Sequence, residues 1–147
     1  MPKPNKRRIL DVKHLRDIGN EVIDDKDNPG TIYTYIKGPK DTIYEKGRWM
    51  VTITLPPDYP FKSPSIGFIT KIFHPNVDFE SGSICLDVLN QEWSPVYNLE
   101  RIVNIIIPQL LSDPNPDDPL NVKAAAMAKT QPEKFKKTVL ENIEKYC

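Results

Sequence analysis

The stretch RWMVTITL, Arg48 to Leu55, alternates apolar and polar side chains over most of its length. The apolar residues fall at every second position: Trp49, Val51, Ile53 and Leu55. Side chains two residues apart in a β-strand lie on the same face of the sheet. The stretch therefore predicts a strand with one face in the core and the other toward solvent.

Further strand patterns lie on both sides of this stretch. TIYTYIK, Thr31 to Lys37, is rich in β-branched and aromatic residues and follows the turn sequence Asn28-Pro29-Gly30. SIGFI, Ser65 to Ile69, follows a proline-rich bend, and Glu21 to Ile23 forms a weaker first strand pattern. Together they predict a four-stranded antiparallel meander.

An amphipathic helix is predicted before the strands, from Asn5 to Ile18. Its apolar residues repeat every third position: Ile9, Val12, Leu15 and Ile18. We expect this face to pack on the sheet. The opposite, basic face is either solvated or docks an acidic partner.

Helical patterns dominate the second half of the chain. One runs from Leu99 to about Ser112, and Pro108 should kink it or divide it. A short alanine-rich helix is expected over Asn121 to Lys129. Thr130 and Glu133 match a capping box that would open the last helix. The predicted fold class is α+β, with an N-terminal helix, the meander and C-terminal helices.

Composition indicates one globular domain over residues 1–147. Lys plus Arg and Asp plus Glu are 20 each, so the formal net charge is zero and does not indicate nucleic-acid binding. The richest apolar run, IVNIIIPQLL, is too short to cross a bilayer, and the polar, basic start does not resemble a secretory signal. Two cysteines and two histidines lack metal-ligand spacing, so we expect no metal and no cofactor.

The loop sequence FHPNVDFESGSICLDV, residues 73–88, contains the candidate nucleophile Cys85. Four roles are open: a Cys/His hydrolase with His74, a redox thiol, an inert buried cysteine, and a thioester carrier. His74 precedes a proline that restricts its backbone, which favours structural bonds over proton transfer. No second cysteine lies in the loop to form a redox pair.

A thioester carrier suits a cysteine that has no neighbouring base. Acyl exchange between two thiols needs no strong base, because a thiol with a pKa near ~8.5 already supplies some thiolate at neutral pH. An adjacent imidazole would also activate water against the thioester.

Six motifs in order then resemble one family, the ubiquitin-conjugating enzymes. They are GPKDTIYEKG (38–47), DYPFKSP (58–64), HPN (74–76), SICLD around Cys85, WSP (93–95) and DPNPDDPL (113–120). The details are most similar to the H-type branch, which is associated with histone substrates. That branch usually carries an acidic tail after the core, whereas this sequence stops at Cys147.

The resemblance implies roles for the site residues. Cys85 would accept ubiquitin as a thioester. Asn76 would either donate to the oxyanion of the tetrahedral intermediate or hold the loop in shape. Asp118, and less directly Asp87, would orient the attacking lysine, while His74 and Pro75 would be structural. Phe73 replaces the tyrosine of many members and lacks its hydroxyl.

The resemblance also implies partners. Ubiquitin-activating enzyme would contact Lys6, Arg7 and Arg8, and RING or HECT ligases would dock on Pro60, Phe61, Ser94 and Pro95. The protein is expected to be a monomer in the cytoplasm, the nucleus or both, with histones as a candidate substrate. The alternatives are a conjugating enzyme for another ubiquitin-like modifier and a non-catalytic adaptor of the same fold; such adaptors lack the cysteine.

Overall fold

The sheet predicted from the alternating stretches is present. The computed structural model describes residues 5–84, 89 and 93–147, and within them four strands pair in chain order as an antiparallel sheet. The strands are β1 (Val22–Asp24), β2 (Thr31–Lys37), β3 (Arg48–Thr54) and β4 (Ser65–Phe68). The fold class is therefore confirmed, and β1 lies one residue later than the weak sequence pattern.

One face of the sheet is buried, as the period of two in β3 predicts. Trp49 lies opposite Ile36, Val51 opposite Thr34 and Phe68, and Ile53 opposite Ile32 and Ile66. All of these side chains are buried. Because partners directly across a sheet share a face, the register places all of them in one core.

Helices flank the sheet in sequence. They are α1 (Lys6–Asp17), α2 (Leu99–Arg101), a π-helix (Ile102–Ile106), α3 (Ile107–Ser112), α4 (Val122–Thr130) and α5 (Pro132–Tyr146). Within the described part of the chain, no helix is both long and apolar enough to cross a membrane.

The predicted buried face of α1 is right at Leu15, which is buried, and at Val12, which packs against the core, but wrong at Ile9 and Ile18. The buried residues are Asp11 and Leu15, whereas Ile9 is 54% exposed and Ile18 is 42% exposed. Arg7, which the basic-face prediction placed outside, turns inward and bonds both carboxylate oxygens of Asp11 at 3.1 Å. The ion pair thus satisfies the charge of a carboxylate that the hydrophobic pattern did not predict to be buried.

Pro108 divides the predicted long helix through a change of helix type. Its ring nitrogen has no N–H to donate one turn back. The turns before it widen instead, and the Ile107 N–H donates to the Ile102 carbonyl, five residues earlier. Asn98 caps the start of α2, since its side chain accepts from the Arg101 N–H at 3.1 Å.

The capping box predicted for the last helix is wrong. Thr130 is the final residue of α4, and its hydroxyl donates to the Ala126 carbonyl at 2.7 Å. The helix α5 begins with Pro132, a residue suited to the first helical turn. Gln131 stands at the cap and makes no side-chain cap bond.

Candidate active site

A short hairpin leads the chain to Cys85. Val77 and Ile84 form an antiparallel bridge, and the Asp78 N–H donates to the Ser83 carbonyl at 2.9 Å. The bridge thus fixes Ile84 beside Val77, the residue after Asn76. Cys85 follows Ile84 in the chain. Cys85 and Asp87 themselves lie outside the described residues.

Gly82 fastens this hairpin to the sheet. Its carbonyl accepts from the Phe68 N–H at 2.8 Å, and its φ of +75° is a left-handed conformation that suits glycine. A Cβ at this position would lie 1.8 Å from the Phe68 carbonyl oxygen. Only a residue without a side chain permits this approach.

The turn of the hairpin is held by Asp78. Its carboxylate accepts from the Ser81 hydroxyl at 2.7 Å and from the Ser81 N–H at 2.8 Å. The bond from the Ser81 side chain is the largest cause that lowers the pKa of Asp78 below its usual value. The carboxylate is therefore ionised at neutral pH and closes the turn.

His74 is buried, and backbone groups occupy both of its ring nitrogens. Nδ1 accepts from the Asn76 N–H at 3.0 Å, so Nε2 carries the proton and donates to the Leu110 carbonyl at 2.9 Å. Burial lowers the pKa of His74 from 6.5 to about 4, so the ring is neutral at pH 7. It joins the loop before the hairpin to α3.

The Asn76 side chain is buried and all of its hydrogen-bonding groups are engaged. Its amide nitrogen donates to the Asn115 carbonyl at 2.7 Å and to the Asp118 carbonyl at 3.3 Å. Its amide oxygen accepts from the Asn115 N–H at 2.8 Å. One side chain thereby fixes the backbone of the loop 113–120.

Pro75 holds the end of the same loop. Its carbonyl accepts from the Leu120 N–H at 2.9 Å and from the Asn121 N–H at 3.0 Å. The Asp118 carboxylate is exposed, at a position where its own backbone is bonded to Asn76. The three consecutive residues 74–76 thus bond to α3 and to the acidic loop.

Phe73 is a core residue. It is buried and packs against Phe135 with ring centroids 5.9 Å apart. Its carbonyl accepts from the Tyr44 hydroxyl at 2.7 Å. Sequence analysis did not find Tyr44, because it lies 29 residues away in an irregular segment.

The two predicted ligase-facing loops, residues 57–61 and 93–97, are joined by a partly buried hydrogen bond. Trp93 donates its indole N–H to the Pro60 carbonyl at 2.9 Å. Phe61 is 80% exposed, while Tyr59 two residues earlier is fully buried. Sequence analysis missed Val96, which is 83% exposed. A large apolar side chain directly after WSP was the available signal.

The three predicted basic contacts differ in their surroundings. Lys6 is exposed. Arg7 donates to the carbonyls of Tyr97 at 2.5 Å and Pro95 at 3.3 Å. Arg8 is half-buried, and its guanidinium occupies the space that a Cβ on Gly30 would need. Only Lys6 of the three presents its charge mainly to solvent.

Across the described ranges, no group of three or more His, Asp, Glu or Cys residues is arranged to hold a metal ion. The second histidine, His14, lies on α1, where its Nε2 is 2.8 Å from a Glu100 carboxylate oxygen.

Known proteins share this sequence and this fold. The family model described as "Ubiquitin-conjugating enzyme" matches residues 7–143. Ubiquitin-conjugating enzyme E2 5 of Arabidopsis thaliana is 47% identical over 147 residues, which are 100% of this chain and 80% of that protein. Ubiquitin-conjugating enzyme E2-24 kDa of Saccharomyces cerevisiae is 48% identical over 144 residues, 97% of this chain and 66% of that protein.

A solved structure agrees with this match. The E2 domain of a Toxoplasma gondii ubiquitin conjugating enzyme superposes with a TM-score of 0.87 at 32% identity, covering 97% of each chain. The chain therefore belongs to the family of ubiquitin-conjugating enzymes. Its activity is that of a transferase with a thioester intermediate, and its partners, in general terms, are ubiquitin, an activating enzyme and ligases.

Proposed function

We propose that Cys85 is the residue that carries ubiquitin in this chain. Its thiol would take the C-terminal acyl group of ubiquitin from the thioester of the activating enzyme, and the thiol of that enzyme would leave. The acyl group then passes to a lysine amine or to a ligase cysteine. Because one thioester replaces another, the first step needs no strong base.

One observation supports this mechanism over Cys/His hydrolysis: His74, the histidine that the sequence places near Cys85, is not available as a general base. Both ring nitrogens of His74 are bonded to backbone groups. A thioester without an adjacent imidazole is protected from base-catalysed hydrolysis.

For Asn76 we propose the structural one of its two implied roles. Both hydrogens of its amide are donated to carbonyls of the loop 113–120. A donor engaged in this way positions the loop and has no hydrogen left for an oxyanion.

Asp118 is proposed to meet the incoming lysine, with Asp87 as a second acid. The amine nitrogen forms a bond to the thioester carbonyl carbon, the C–S bond breaks, and the proton of the amine passes through the carboxylate to solvent or to the released thiolate. The Asp118 carboxylate is exposed, whereas its backbone is fixed by Asn76. That combination gives a reachable acid at a defined position.

The proposed ligase surface consists of Phe61, Pro95 and the newly found Val96, with Pro60 and Ser94 beside them. Large exposed apolar side chains of this kind serve as anchors in protein interfaces. For the activating enzyme we retain Lys6 as the contact, since Arg7 and Arg8 are occupied within the chain.

A thioester assay tests the proposal. The chain is incubated with activating enzyme, ubiquitin and ATP and is then run on a non-reducing gel. We expect an adduct that thiol reductant removes and that requires ATP, and a reductant-resistant oxyester in Cys85→Ser. An adduct that survives in Cys85→Ala would contradict the assignment of Cys85.

The same assay separates the alternatives. Charging with a different ubiquitin-like modifier, and not with ubiquitin, would indicate the second kind of conjugating enzyme. No adduct with any modifier would leave two readings, the non-catalytic adaptor and a domain in which the cysteine is inert. Mixing the charged chain with histones tests the proposed substrate class.

Organisation and location are proposed on the family resemblance. We infer one catalytic domain over residues 1–147 and a monomer, which light scattering on the purified chain would check. We propose the cytoplasm and the nucleus as its locations, and microscopy of the tagged chain would test this.

A further inference from the structure

The start of α1 bonds to both ligase-facing loops. The Asn5 side-chain amide donates to the carbonyls of Tyr59 at 2.5 Å and Pro57 at 3.3 Å. The Arg7 guanidinium donates to the carbonyls of Tyr97 and Pro95. The first turn of one helix therefore fixes the backbone of the segments 57–59 and 95–97.

A buried carboxylate connects these two sets of bonds. Asp11, 7% exposed, accepts from Arg7 Nε and from the hydroxyl of Tyr59. Burial, and next the bond to Asp11, raise the pKa of Tyr59 far above its usual value, so its hydroxyl remains a donor. Asp11 thus orients the arginine that holds one loop and the tyrosine that belongs to the other.

Aromatic packing adds a third link between the loops. The Tyr59 and Trp93 rings lie 5.6 Å apart, and the Trp93 indole N–H donates to the Pro60 carbonyl. The exposed Phe61 and Pro95 are each within two residues of a bonded position in this network. Their relative placement is therefore set from below the surface.

We propose that Asp11 and Tyr59 are positioning residues that fix the distance between Phe61 and Pro95 and thereby set the affinity for a ligase. This inference depends on the proposed ligase surface. Tyr59 has no exposed surface and Asp11 has almost none, so neither can contact a ligase directly. Any effect they have on ligase binding must pass through the loops.

The decisive variant is Tyr59→Phe, which removes one buried hydroxyl and keeps the ring. Its matched control is Tyr33→Phe, because Tyr33 also donates its hydroxyl to an aspartate, Asp25, at 2.8 Å, and lies in β2. Asp11→Asn is a second variant, which weakens the bond to Arg7 by removing the charge.

Four quantities are measured with a RING domain selected for binding to the wild-type chain. The first is its dissociation constant for the uncharged chain. The others are the ligase concentration that half-saturates ubiquitin discharge, the discharge rate at saturating ligase, and the discharge rate to free lysine without ligase. The first needs no thioester, so it tests the inference even if Cys85 does not charge. A wild-type chain that fails to charge contradicts only the proposed function.

We expect Tyr59→Phe and Asp11→Asn to raise both the dissociation constant and the half-saturating ligase concentration by about three- to tenfold. This is the equivalent of one hydrogen bond. Discharge at saturating ligase and discharge to free lysine should stay within about twofold of wild type. The NMR signal of the Trp93 indole N–H should shift, because its bond to Pro60 reports the separation of the loops.

Two results would overturn the inference. One is an unchanged affinity in Tyr59→Phe, whether or not the Trp93 signal shifts. The other is an equal loss of affinity in Tyr33→Phe, which would indicate a general loss of stability and no positioning.

Discussion

Asn76 shows how a single side chain can set the shape of a distant loop. Its three bonds join a segment beside the hairpin to backbone groups 39 and 42 positions later. Its side chain is fully buried, and its bonds to the loop backbone are partly buried. The amide is therefore worth more to the loop than an exposed hydrogen bond would be.

Replacing Asn76 by alanine should destabilise the protein and free the acidic loop. Three partly buried hydrogen bonds to the loop are lost, each worth about 0.5 to 1.5 kcal/mol, so we expect a loss of about 1 to 3 kcal/mol. Urea denaturation should show this loss, and hydrogen exchange should accelerate over residues 113–120.

Asn104→Ala is the matched control for this variant. Asn104 exchanges side-chain bonds with Asn20 at 3.0 and 3.1 Å, but both residues lie toward solvent. We expect a change within about 0.5 kcal/mol. Equal losses in the two variants would contradict the special role of Asn76.

For single residues, the sequence predicted which side chains belong to the site better than it predicted the groups that they bond. HPN suggested a structural histidine, because the proline restricts its backbone. It left Asn76 between two roles, since the groups that engage its amide lie in another motif and only the fold brings them together.

Among the elements, the hairpin 77–84 owes its position against β4 to one glycine, Gly82. Gly82 combines a left-handed backbone with a close approach to the Phe68 carbonyl. The left-handed backbone and the close approach each disfavour a side chain. Other glycines of the chain show one feature without the other.

Three glycine-to-alanine variants should therefore fall in a fixed order of stability. Gly67→Ala meets nothing closer than 3.6 Å and has an ordinary φ, so it should change stability by less than about 1 kcal/mol. Gly19→Ala has φ +103° and open space, so it should cost about 1 to 2 kcal/mol from backbone strain.

Gly82→Ala adds a clash to the same strain and should cost the most, about 3 kcal/mol or more. Thermal unfolding of the three variants measures the order. A Gly82→Ala variant as stable as Gly19→Ala would show that the hairpin can move away from β4 at little cost.

Strands with a period of two were predicted well, whereas for α1 the extent was predicted but only half of the buried face. In β3 every second side chain enters the core, so alternation determines the face. In α1 the buried positions include Asp11, which a hydrophobic pattern cannot find. Its burial depends on Arg7 and on Tyr59, 48 residues away.

For the whole molecule, buried His74 makes stability depend on pH. Its pKa is about 4 in the folded protein and 6.5 in the unfolded chain, so the unfolded chain binds the proton more readily. The contribution of the neutral ring is complete above pH 6.5 and is lost as the pH falls toward 4.

We expect the free energy of unfolding to fall by about 2.5 kcal/mol from this group between pH 7 and about pH 4.5. The test compares urea denaturation of wild type and His74→Phe at the two pH values. The variant should lose less stability on acidification than wild type, although it starts lower because two hydrogen bonds are gone. Equal losses in both proteins would contradict the assignment.

The whole fold was predictable because independent signals agreed on one arrangement. Alternating strands, a helix before them and helices after them all indicated the same α+β fold. The sequence did not predict the joints between those parts, such as the bond from His74 to Leu110, because they involve backbone atoms that every residue possesses.

The fully engaged amide of Asn76 also determines how the turnover rate should respond to mobility of the loop 113–120. To stabilise a tetrahedral intermediate it would first have to release Asn115 or Asp118, whose segment carries the proposed proton acceptor. If Asn76 donated to the oxyanion, it would release the segment that carries Asp118 in every cycle. Changes that make this segment more mobile should then raise the turnover rate. If Asn76 only holds the segment in position, the same changes should lower the turnover rate.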